Sequence, residues 1–206
     1  MNTTTTTGGM LTGNFPLVIG KHPTQGGHWQ GAIDDARVWT TARTCEQISA
    51  NLNNSILSET GLVSSYTFNE GVPNGSNTSL TAVQNGVNFT SDGTLAGFAL
   101  SGSSSNFVPS APFNLPIVCV TEVASGLAGD CLAFTGANDL VKVPNSVSFT
   151  DYTIECNVLL KDLNDQNIIV ATNASGTSLS SASSGSIVTP SEPAPAPTVV
   201  TTLFKS

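Results

Sequence analysis

Short apolar runs separated by Gly, Asn, Ser and Pro recur along the chain. They are "PLVIG" from Pro16, "GAIDDARVW" from Gly31, "GLVSSYTF" from Gly61, "PIVCVTEV" from Pro116, "CLAFTG" from Cys131, "DLVKVP" from Asp139, "TIECNVLL" from Thr153 and "NIIVAT" from Asn167. Runs this short, bounded by turn residues, predict strands, and their number predicts an all-β antiparallel sandwich. Strict alternation along 31–39 puts Ile33, Asp35, Arg37 and Trp39 on one face and Ala32, Asp34, Ala36 and Val38 on the other. In "TIECNVLL" the same period gathers Ile154, Cys156, Val158 and Leu160 on one apolar face, where a buried thiol or a disulfide fits. One short helix is predicted from Thr44, where Thr-Cys-Glu-Gln reads as a capping box and Ile48 and Leu52 fall on one side. It ends by Asn53-Asn54-Ser55. The predicted core is Val18, Ile33, Val38, Tyr66, Phe68, Phe134, Val141, Ile154 and Val158.

Between these runs the polarity pattern sets the boundaries. Residues 69–91 are turn-rich and predict a long surface loop with one weak strand, and the sequons at Asn77 and Asn88 point to exposed positions. Residues 1–14 read as a disordered Thr/Gly-rich leader, 15–174 as the sandwich, and 175–206 as a Ser/Pro-rich linker and tail. Only 10% of the 206 residues are charged, against about 25% in ordinary soluble domains, which suits an extracellular β protein. The net charge of −8 removes the basic footprint needed to hold phosphates, so nucleic acid is excluded as a partner. Cys45, Cys119, Cys131 and Cys156 allow two disulfides in an oxidising compartment, or serve as small core residues. No CxxC or His-x-x-His spacing suggests zinc. No basic region leads into an apolar core at the start, and no run approaches ~18 apolar residues. Membrane insertion is therefore not expected, and a secreted or cell-surface location requires an export signal that is not in this chain.

The passage "FPLVIGKHPTQGGHWQGAIDDARVWTTARTCEQI", 15–48, resembles the C-terminal strands and helix of laminin G-like, concanavalin A-like jelly rolls. Ile19, Gly20, Trp29, Gly31, Ile33, Asp34, Asp35, Arg37, Val38 and Trp39 fill the family pattern. "GLVSSYTFNEG" is similar to the opening strand, and "GDCLAFTGANDLVKVPNSVSFTDYTIECNVLL" to the strands after it. Asn157 departs, standing where the family carries a large aromatic residue. The order departs too: an intact member reaches a segment like 17–39 last, after middle strands that have no counterpart here. The fold implied is a partial or permuted jelly roll, either a window on a tandem array or a permuted domain, with open sheet edges that favour self-association.

The resemblance also frames the chemistry. It implies a calcium site at the sandwich rim, with Asp34 or Asp35, Glu70, Asn138 and Asp139 as the candidate oxygen ligands. The competing reading pairs Asp35 with Arg37, since buried charges persist mainly when paired. His28, Trp29 and Gln30, beside a Gly-Gly turn, form a candidate ligand contact in which the indole stacks on a sugar ring. The alternative has Trp29 plugging the end of the sandwich. Glucanases of this architecture carry Glu-x-Asp-x-Glu on one strand, and that run is absent, as is Gly-x-Ser-x-Gly. The expected function is a non-catalytic extracellular module binding carbohydrate or another cell-surface ligand, its partner a glycan or an extracellular protein. The alternative is a structural repeat of a large adhesin or filament protein with no small ligand of its own.

Overall fold

The runs rich in β-branched and aromatic residues fold as strands. The computed structural model describes residues 3–5, 16–21, 27–51, 54–109, 130–135, 138–144, 153–160, 170–172, 178–179 and 199–205. Along the chain these give β1 (Thr3–Thr5), β2 (Leu17–Ile19), β3 (Gly31–Trp39), helix α1 (Cys45–Ser49), β4 (Leu62–Tyr66), β5 (Ala82–Val83) and a 3-10 turn at Phe89–Ser91. There follow β6 (Gly93–Ala96), β7 (Phe107–Pro109), β8 (Asp130–Phe134), β9 (Leu140–Val143), β10 (Thr153–Leu160), β11 (Val170–Thr172), β12 (Ser178–Leu179) and β13 (Val199–Lys205). The expected strand at 116–123, with Cys119, lies outside the described residues.

Two sheets form a predominantly antiparallel sandwich, as the polarity pattern predicts. One runs β1-β13-β10-β3-β8-β7, with β4 also on β3, and the other runs β12-β11-β2-β9-β6-β5. Among the described residues every pairing is antiparallel except β1 with β13. The early strand β3 sits in the interior of its sheet. On one edge it pairs with β10 along nearly its whole length, while on the other β8 takes Gly31–Ile33 and β4 takes Ala36–Trp39. Strand adjacency, and not chain order, builds the sheet, so a closing passage can come first.

Between the sheets, Leu17, Ile19, Ile33, Val38, Tyr66, Phe68, Phe107, Leu132, Phe134, Val141 and Ile154 share one buried cluster. Val18 is buried but stands outside it, because the two-residue period that gives Leu17 and Ile19 to the core takes Val18 away. The side chain of Val158 lies outside the described residues. The weak strand of the 69–91 loop is β5, and two further strands, β6 and β7, are too short to stand out by pattern. Strands also form in the segments that composition marks as leader and tail: β13 pairs with β10, and β1 with β13. Their Thr- and Val-rich sequences suit an extended edge.

Candidate functional site

The acidic motif of β3 folds around a bulge. Glu155 of β10 pairs with Arg37 and Asn157 pairs with Asp34, so Asp35 and Ala36 together oppose the single residue Cys156. Asp35 takes a left-handed backbone, φ +49°, which Asp tolerates better than bulky residues do. The extra residue changes the parity that strict alternation predicts. Ile33, Ala36 and Val38 all join the core, while Arg37 and Trp39 serve the opposite face of the sheet.

That outer face is covered by α1 and the loop after it. Thr44 caps α1 through the expected box: its hydroxyl accepts from the Gln47 N–H, and the Gln47 side chain accepts from the Thr44 N–H. Arg37 reaches Asp35 and Glu155, each at 3.3 Å, and donates to the carbonyls of Asn51 at 3.2 Å and of Asn54. Arg43 stacks 3.8 Å from the centroid of Trp39 and pairs with Glu59. Trp39 packs with Ile56, Leu62 and Val87 in a second apolar cluster. Asp35 and Arg37 therefore pair, and Glu155 extends the pair into a clamp on the loop.

Three carboxyl groups in this clamp are buried: Asp34, Asp35 and Glu155 are 3%, 4% and 2% exposed. Asp34 Oδ1 accepts the Asp35 N–H at 2.8 Å, and its Oδ2 has no partner among the described residues. Burial, reinforced by the charge of Asp35, pushes the Asp34 carboxyl up to about 8, so it holds a proton at neutral pH. Burial raises Asp35 to about 6 against the opposing pull of Arg37, and raises Glu155 in the same way. These are groups spent inside the fold, with no solvent-facing carboxylate pair between them.

The other expected ligands have separate partners. Glu70 Oε1 accepts the Gln84 N–H at 2.8 Å, and Asn138 Oδ1 accepts from Lys21 at 3.3 Å. Asp139 Oδ2 accepts from Ser105 Oγ at 2.8 Å, Thr135 N at 2.7 Å and Thr135 Oγ1 at 2.9 Å, tying two turns together. Among the described residues no group of three His, Cys, Asp or Glu is placed to hold a metal ion. Trp29 is 3% exposed within the main core, so it presents no open indole face for stacking. It plugs the sandwich: its backbone N–H donates to Gly20 O at 2.7 Å while its indole N–H has no partner among the described residues, and Gly20, φ +91°, has no room for a side chain because a Cβ would lie 2.2 Å from the Phe134 ring. His28 and Gln30 remain half-buried at the surface, their side-chain nitrogens 3.3 Å apart.

The first 49 residues match the Concanavalin A-like lectin/glucanases superfamily, family Laminin_G_3. This concanavalin A-like segment carries β1, β2, β3 and α1, and so includes the bulge, Arg37 and the capping box. No curated protein and no solved structure matches the chain.

Outside the matched segment, three asparagine side chains are buried. Asn77 is only 4% exposed, contrary to its reading as an exposed sequon, and it exchanges bonds with Val72 N and O at 2.7 and 2.9 Å and with Asn106 at 2.9 Å. Asn106 donates to the carbonyls of Gly75 and Gly102, and Asn85 accepts from the N–H groups of Ser65 and Val87. Each mimics a missing backbone partner, and nothing in a polar loop sequence distinguishes such an Asn from a solvated one. Asn88 is exposed as expected and caps the 3-10 turn. Cys131 and Cys156 are free, and burial pushes both thiols up to about 12. The side chain of Cys45 lies outside the described residues.

Proposed function

We propose that this chain is a non-catalytic binding module working outside the cell, its ligand a carbohydrate or another cell-surface molecule. The observation that carries the reading is the coincidence of the family match with the β3–α1 unit, whose acidic residues are consumed in holding the fold. The ligand face is better sought at Phe89 than at Trp29. Phe89 is 69% exposed on the turn capped by Asn88, and Leu57, 50% exposed, lies over Gly86 nearby in the chain. An apolar ring flanked in the chain by exposed Asn88 and Thr90 offers the stacking surface and rim hydrogen bonds that a pyranose uses. A glycan array probed with wild type and Phe89→Ala tests this, with circular dichroism confirming both folded. Binding by wild type that Phe89→Ala abolishes is the expected result; folded wild type that binds no glycan, or binding that Phe89→Ala leaves intact, defeats the reading.

A second reading, a structural repeat of an adhesin or filament, draws its support from β13, which adds a strand to the β10 edge from beyond a Ser/Pro-rich stretch. Further copies of the 28–48 pattern in the flanking reading frame would favour it.

A further inference from the structure

The edge of β10 not used by β3 is taken by β13 over seven consecutive residue pairs, from Thr153↔Lys205 to Leu159↔Val199. What joins β13 to β12 is "SSASSGSIVTPSEPAPAPT", residues 180–198, a Ser- and Pro-rich composition with an extended reach of roughly 60 Å. A connection of that length does not oblige the strand to return to its own sheet. On the far side of β13, β1 pairs only with Leu203–Lys205, and Val199–Thr202 have no strand neighbour there among the described residues. Those four positions are all β-branched and include neither Lys nor Pro, the residues that usually guard an open edge.

We propose that the β10 edge is a strand-acceptor site, and that Val199–Lys205 of a second copy of this chain takes it in place of the chain's own strand. The ladder bonds are backbone bonds, so the same strand in the same register makes every one of them in trans. Exchange then costs only the difference between the local concentration set by the linker, on the order of millimolar, and the concentration of free chains. Exchange is therefore sparse at micromolar protein and grows as the concentration approaches the millimolar range. This gives the assembly reading its partner and is independent of the ligand face at Phe89.

The test uses full-length chains. Asn157 and Thr201 are directly opposed across β10 and β13, at a spacing a disulfide spans. The double variant Asn157→Cys/Thr201→Cys is oxidised at low concentration, and an isotopically light Asn157→Cys chain is refolded with a heavy Thr201→Cys chain at ~0.1 and ~1 mM. Peptide mass spectrometry then identifies the 157–201 link specifically, apart from the native thiols. The double variant is expected to link within one chain, and the mixture to yield light–heavy 157–201 links whose share of the chains rises about fivefold between the two concentrations, as the higher one reaches the millimolar local concentration. Linkage in cis with no light–heavy link at ~1 mM overturns the exchange and leaves β13 a tail strand. Failure of the double variant to link removes β13 from β10, and the assembly reading with it.

Discussion

Replacing Arg37 by Met removes the guanidinium that bonds both Asp35 and Glu155 and holds the carbonyls of Asn51 and Asn54. Met keeps most of the stem's apolar packing, so the loss is one of charge and donors. Arg37 and both carboxylates are at most 4% exposed, so water does not replace the missing partner. Removing one member of a buried pair costs about 3–5 kcal/mol, because an uncompensated charge stays behind. Urea unfolding followed by tryptophan fluorescence should therefore show the midpoint falling by that equivalent with an unchanged slope. The triple variant Arg37→Met/Asp35→Asn/Glu155→Gln, in which no carboxylate is stranded, should recover most of it. A single variant within ~1 kcal/mol of wild type, or a triple variant no better than the single, would refute the clamp.

The pH dependence has an unusual sign. Folding raises Asp34 to about 8 and Asp35 to about 6 from 3.8, so the folded state holds the extra protons; their stabilising effect is complete below the unfolded value and is lost as pH rises towards 8. The urea midpoint should climb as pH falls from 9 to 5, and Asp34→Asn should flatten that slope; an unchanged slope in the variant would contradict it. Asn77→Asp puts a carboxylate against Asn106 Oδ1 and the Val72 carbonyl, and should cost roughly 1–3 kcal/mol in the same assay, whereas Asn88→Asp should be near neutral. Since Asp139, Glu70 and Asn138 each have a separate partner, melting curves in chelator and in millimolar calcium should coincide. A calcium-dependent rise in Tm would show a site that the described residues do not reveal.

Most strands were legible because each combines β-branched or aromatic residues with flanking turn residues, and the cap at Thr44 because a capping box is wholly local. The parity of β3 was not, since a bulge depends on how two strands meet: nothing within "GAIDDARVW" says that Asp35 and Ala36 will share one partner across the sheet. Trp29 illustrates the same limit, because a Trp beside a Gly-rich turn reads equally well as a platform or a plug until its burial is known. Asn77, Asn85 and Asn106 were hidden for another reason. Their role lies in satisfying backbone groups brought near by distant turns, and that leaves no periodic trace. The short strands β6 and β7 owe their form to the neighbours they pair with, β9 and β8.

Within the matched segment it is β3 that is built into the middle of its sheet, through a bulge that turns its acidic residues into structure. Interstrand nuclear Overhauser effects in labelled protein measure this most directly. Backbone contacts are expected for Ile154 with Val38 and for Val158 with Ile33, with a register that changes by one residue between them, and for Ala36 with Tyr66 on the other edge. An unbroken register from Val38 through Ile33, or β3 paired with neither β10 nor β4, would contradict it.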